Sequence, residues 1–192
     1  MPKILLMRSG FPSFLILAVS LWGLAGHAWA ERADRAQPLV FAADAARVDE
    51  ARRLNILSGN VEITKGSMVV RADKVEVRQN SSGSQSAVAT GGAGGRAYFR
   101  QKREGVNEFI EGEALRITYD GDSDTVLFAG RAVMRRLSGS TAADQVSGES
   151  ITYDNKTGVF QVAGSAGTPG AVKGRVQGVI TPRADNAAGQ GR

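Results

Sequence analysis

The chain contains no cysteine, and its single histidine, His27, lies within the first thirty residues. A fold built from the remainder has neither disulfide nor thiolate. Ser-His-Asp and Cys-His nucleophile systems are excluded, as are the usual zinc sites. Long apolar runs are also scarce. The run from Phe14 to Leu24 is shorter than the about 20 residues a membrane-spanning helix needs, and no other segment is apolar enough to cross a bilayer. Outside it, no stretch carries a convincing helical stripe.

That apolar run has a recognisable setting. Lys3 and Arg8 precede it, and Ala28-Trp29-Ala30 follows as an A-x-A cleavage pattern before Glu31. Residues 1–30 therefore read as a cleaved secretory signal peptide, with an uncleaved anchor as the alternative. Without Lys3 and Arg8 the chain has 22 basic and 19 acidic residues, a net charge of +3. This excess is too small to argue for a nucleic-acid partner. Residues 31–36 read as a flexible leader, 37–182 as one domain, and 183–192 as a disordered tail.

What the chain does contain is a repeat. Ile-Thr-Tyr-Asp occurs at Ile117–Asp120 and again at Ile151–Asp154. Phe128-Ala129-Gly130 and Val162-Ala163-Gly164 follow the two copies, again 34 residues apart. The unit is a strand, a polar turn, and a strand ending in a small residue and glycine. Such units bury their apolar faces only against one another and share a core. A weaker earlier copy has Leu57-Ser58-Gly59 at the position of Phe128 and Val162, with a bulge or bend expected at each glycine.

Period-two alternation supports strands throughout: Leu39 with Phe41, Val61 with Ile63, Val75 with Val77, Leu115 with Ile117 and Tyr119, Ala132 with Met134, and Ile151 with Tyr153. Val172, Val176 and Ile180 keep the same parity at wider spacing. Lys65-Gly66, Asp120-Gly121, Ser138-Gly139 and Asn155–Gly158 supply turns. The Ser/Gly-rich stretch from Asn80 to Gly95 reads as a mobile loop holding at most a short strand at Ala87–Ala89. Asp120–Asp124 resembles the start of a calcium loop, but Thr125 and Arg131 stand where that loop needs Gly and Glu. It is read as a solvated turn. Gly91–Gly95 has no following helix and is no phosphate loop.

The segments Gln37–Asp44, Leu57–Ile63, Arg71–Val77 and Ile110–Gly112, together with the two Ile-Thr-Tyr-Asp copies, resemble the OstA-like (LptA-type) family of periplasmic lipopolysaccharide-transport proteins. The resemblance spans about residues 37–182. It implies an all-β fold, a twisted open β-jellyroll whose two antiparallel sheets form a V-shaped trough. It also implies a non-catalytic, cofactor-free bridge in the periplasm. Lipid A acyl chains would lie in the trough. Inner-membrane-anchored and outer-membrane jellyroll partners, and further copies of the chain, would add head to tail. Shielding suits such a cargo, because each exposed methylene costs about 0.8 kcal/mol.

On that reading the trough is lined by Leu39, Phe41, Leu57, Val61, Ile63, Val75, Val77, Phe99, Ile117, Tyr119, Phe128, Met134, Ile151, Tyr153 and Val162. For each, ordinary core packing is the competing role. Edge pairing is expected from Leu39, Val40 and Phe41 at one end and from Val172, Val176 and Ile180 at the other. A covered terminal strand is the alternative for the second segment. Arg96, Arg100, Lys102 and Arg103, with Arg135-Arg136, could meet lipid phosphates at the rim or protect an edge by charge. Rival readings are a membrane-anchored relative of the same fold and a structural β-solenoid or adhesin module. A β-helix polysaccharide enzyme would need an acid/base constellation, and the sequence offers none.

Overall fold

The computed structural model describes residues 34, 37–103, 106–139, 141–165 and 174–181. The signal segment 1–30, all of the leader 31–36 but Asp34, Val172 and the tail 183–192 lie outside the described residues.

Twelve strands occur among them: β1 (Val40–Ala42), β2 (Ala45–Asp49), β3 (Leu54–Lys65), β4 (Met68–Gln79), β5 (Gln85–Thr90), β6 (Ala97–Lys102), β7 (Glu108–Ala114), β8 (Arg116–Asp120), β9 (Thr125–Ser138), β10 (Thr141–Asp154), β11 (Phe160–Ala163) and β12 (Gln177–Ile180). All pairings among them are antiparallel. Four strands are long, and each changes partner half-way. The first half of β3 pairs with β2 and the second with β1. β4 divides between β6 and β5, β9 between β8 and β7, and β10 between β12 and β11. One half-sheet therefore contains β2, β5, β8 and β11, and the other β1, β6, β7 and β12. β3, β4, β9 and β10 run through both. This is the expected β-jellyroll of two antiparallel sheets, with the sheets joined through the long strands.

The sequence explains where the long strands bend. In β3 two residues, Gly59 and Asn60, oppose the single residue Asp73 between the pairs Ser58–Lys74 and Val61–Ala72. In β9 Gly130 and Arg131 oppose Glu149 in the same way. Both glycines have positive φ, +76° and +80°, and the residue after each is left-handed too. These are β-bulges, which bend a strand and sharpen its twist. The bulge expected at Gly59 and at Gly130 is present, and it forms the corner between the half-sheets. A Cβ on Gly59 would collide with Asp44 in the bend between β1 and β2, so glycine is needed there for space and for backbone conformation.

The repeat follows directly from the register. Ile117 and Ile151 both lie opposite Phe128, on the two sides of β9. Leu57, Val75, Ala89, Ile117, Phe128, Ile151 and Val162 form one row across the first half-sheet. A second row, through Phe41, Ile63, Val70, Phe99, Gly112, Met134 and Val146, crosses the other. The rows meet where Phe99 packs edge-on against Phe128, ring centroids 5.8 Å apart. One apolar cluster results, as shared burial of the repeated units requires.

Two sequence expectations change. The stretch 80–95 is not a mobile loop. Residues 85–90 form β5, a full strand hydrogen-bonded between β4 and β8. Ala87 and Ala89 fill a gap already narrowed by Val75, Val77 and Ile117, so small side chains are what packing demands there. Leu115 does not share the inward face of Ile117. It sits between β7 and β8 at the corner, exposed, with its amide donating to the Gly130 carbonyl at 3.0 Å.

Candidate functional site

The candidate lining residues do not share one environment. Leu57, Val61, Ile63, Val75, Val77, Phe99, Ile117, Phe128, Met134, Ile151 and Tyr153 are buried in the common core. Leu39, Tyr119 and Val162 are half-buried against it, and Phe41 is 48 % exposed. The centre of the jellyroll is thus filled by side chains.

One open space adjoins this core toward the β12 end. A cavity of about 430 Å³ is walled by Ile110, Met134, Val146, Tyr153, Phe160 and Ile180, with Arg103, Arg136, Asp144, Gln145, Gly158 and Thr181 completing it. Register puts it there. Gln101, Ile110, Arg136, Asp144 and Ile180 form a single row from β6 to β12. Ile180 is 76 % exposed, so this row runs from the core out to the sheet edge. Of the candidate lining residues, Met134, Tyr153 and the edge candidate Ile180 belong to the cavity. Ile110, Val146 and Phe160 were missed, although Phe160 precedes Val162 by two residues and alternation from Val162 would have found it.

The basic cluster splits between the faces. Arg100 lies over the Phe109 ring at 4.2 Å, Arg135 lies 3.8 Å from Glu111 and 3.7 Å from Glu113, and Arg96 pairs with Glu113. Arg103 and Arg136 instead line the cavity. Arg136 lies 2.5 Å from Asp144 and 3.7 Å from Glu108, and Arg103 also pairs with Glu108. Burial opposes the charge of Arg103, but its hydrogen bond to Glu108 and the nearby Tyr153 outweigh this and raise its pKa. The Tyr153 phenol is raised by burial, against the pull of Arg103.

Polar bridges join the outer margins of the half-sheets. Asn155 Nδ2, in the β10–β11 turn, donates to Gln101 Oε1 at 2.8 Å and to Asp124 Oδ1 at 3.2 Å. Tyr119 donates to the same Asp124 oxygen at 3.3 Å. Lys65 Nζ reaches Gln85 Oε1 at 3.4 Å. The Asp120–Asp124 segment is the β8–β9 turn, where Asp120 accepts the Asp122 amide at 2.9 Å.

Both ends of the fold carry exposed apolar strands. β1 and β2 pair only with β3, and β11 and β12 only with β10, among the described residues. Val40, Phe41 and Val48 are exposed at one end, and Val159, Phe160, Val176, Val179 and Ile180 at the other. Val176 directly precedes β12.

A family model described as LptA/(LptD N-terminal domain) LPS transport protein matches residues 41–159, from β1 to the β10–β11 turn. The chain belongs to this family. It is 30% identical over 139 residues to the lipopolysaccharide export system protein LptA of Escherichia coli, covering 72% of this chain and 71% of that one. It is 26% identical over 151 residues to the lipopolysaccharide export system protein LptH of Pseudomonas aeruginosa, covering 78% and 82%. Among solved structures, that of LptH, described as the LptA-homologous periplasmic component of the lipopolysaccharide transport device of Pseudomonas aeruginosa, superposes with a TM-score of 0.67. The match covers 78% of this chain and 99% of that one at 24% identity, and it identifies the family's β-jellyroll.

Proposed function

We propose that this chain is a non-catalytic carrier that shields the acyl chains of lipopolysaccharide and hands the lipid along a periplasmic bridge. The cavity between the half-sheets, apolar in its walls and open toward an exposed sheet edge, is the observation that carries this reading. Membership of a lipopolysaccharide-transport family supplies the cargo. The buried candidates Leu57, Phe99 and Phe128 would act as the floor against which chains lie, and Met134 and Tyr153 would meet them directly. Transfer would run between copies, or between this chain and membrane-bound partners of like fold, through strand addition at β1 and β12.

The test is photo-crosslinking to lipopolysaccharide from a benzophenone side chain placed at Phe160, with Glu62 on an outward row as control. A crosslink from 160 and none from 62 is expected. Folded protein that crosslinks from neither position would move the assignment to a structural β-module. N-terminal sequencing of exported protein separates the soluble carrier, which begins at Glu31, from a membrane-anchored form.

A further inference from the structure

The edge strand β1 has little of its own to hold it. It pairs Val40, Phe41 and Ala42 with Thr64, Ile63 and Glu62 of β3, and no strand lies on its other side among the described residues. Three residues is the short limit for a strand, and Val40 and Phe41 are exposed. An aspartate pins its following end at the corner. The Asp44 amide donates to the Gly59 carbonyl at 2.9 Å, and the Asp44 carboxylate accepts Asn60 Nδ2 at 2.9 Å.

A second aspartate, Asp34, pins its leading end from outside every strand. Gly66 and Ser67 make the two-residue turn between β3 and β4, with Gly66 left-handed at φ +58°. The Ser67 amide falls outside the β3–β4 ladder. Asp34 Oδ1 accepts it at 3.0 Å, and Asp34 Oδ2 accepts the Ser67 hydroxyl. Ser67 Oγ in turn accepts the Lys102 amide of β6 at 3.1 Å. The Asp34 carbonyl accepts the Gln37 amide at 3.3 Å, which turns the chain toward β1. One carboxylate thus joins the segment before β1, the β3–β4 turn and the end of β6. At the far side of the same half-sheet β12 hangs on β10, out of reach of this junction.

We propose that Asp34 is a positioning residue for assembly, holding β1 ordered as the template on which the edge strand of another copy adds. The reason is entropic. Fixing even one backbone residue at the moment of pairing weakens association by about 10-fold, and an edge already ordered avoids that loss. The proposal rests on the strand-addition reading and deepens it, because it assigns Asp34 to the β1 side of the joint and not to the β12 side.

The test uses two processed chains, each with one end blocked. Val179→Asp leaves only β1 available, Phe41→Asp leaves only β12, and their mixture should form a dimer in sedimentation velocity. Asp34→Ala added to the Val179→Asp chain should weaken that dimer about 10-fold. Added to the Phe41→Asp chain, it should change nothing. In the otherwise native chain, Asp34→Ala should speed hydrogen exchange of the amides of residues 40–42 and leave β9 and β10 protected. Equal weakening in both placements, no weakening in either, or a tighter dimer overturns the proposal. Unchanged exchange at residues 40–42, or lost protection in β9 and β10, overturns it as well, and leaves the strand-addition reading standing. No dimer from the two blocked chains with Asp34 intact would reject the strand-addition reading itself, and the proposal with it.

Discussion

Phe128 is the residue on which both half-sheets converge. It is fully buried, flanked by Ile117 and Ile151, and packed edge-on by Phe99. Phe128→Ala should cost about 3–5 kcal/mol, read as a lowered urea midpoint with unchanged slope. Phe41→Ala, at an exposed edge, should cost far less, and equal losses would contradict the burial assigned to them. Tyr98 and Tyr153 make a second residue-scale prediction. Burial raises both phenols, Tyr98 with help from Glu111. The unfolded chain releases these protons near pH 10, while the folded chain holds them to higher pH. Their stabilising share is therefore complete below about pH 10 and lost as pH rises through the folded values. The urea midpoint should fall less steeply in alkali for Tyr153→Phe than for the native chain. Parallel falls would mean that Tyr153 keeps its proton no longer when folded than when unfolded. Much at this scale was legible in the sequence. The repeated tetrapeptide identified Ile117, Tyr119, Ile151 and Tyr153 as equivalent, and the register bears this out. Which side of a charged residue faces inward was not legible. Arg135 and Arg136 are adjacent and basic, and only pairing to Glu111 and Asp144 separates their rows.

At the scale of the element, alternation located the strands and glycine located the bends. Alternation failed where the core asks for small residues. The strand β5 reads Gln-Ser-Ala-Val-Ala-Thr, without a large apolar side chain on its inward face, because Ala89 lies between Val75 and Ile117. Composition alone resembles a linker, and only the two flanking strands reveal a rung. Ala89→Leu distinguishes the cases. In a mobile loop it would be neutral. In a strand that is 3 % exposed at this position it should overpack the row and cost about 1–3 kcal/mol. Thermal unfolding is sufficient to decide, and an unchanged midpoint would return 85–90 to a loop. Leu115 failed for the opposite reason. It keeps the parity of Ile117, but the chain bends between β7 and β8, and parity does not carry across a corner.

The whole molecule presents two unlike ends. One offers β1 with Val40 and Phe41, the other β12 with Val179, which is 68 % exposed. Each edge lacks a partner on its outer side among the described residues. Two different surfaces that pair with each other make a heterologous contact, which grows open-ended unless rotation closes it. The sequence foretold edges at both ends; which edge meets which is a property of the assembled molecule. Phe41→Asp should block one end and Val179→Asp the other, since an inward or edge charge discourages strand addition. Sedimentation velocity of the native chain should then show species that lengthen with concentration, and each variant alone should stay monomeric. A mixture of the two variants should form a dimer and stop there, because each retains the end that the other has lost. Self-pairing of like ends makes a different forecast. The Val179→Asp variant would dimerise alone through β1, and mixing would add nothing. The mixed sample therefore separates a bridge that can extend through successive copies from a closed pair that would end after one step.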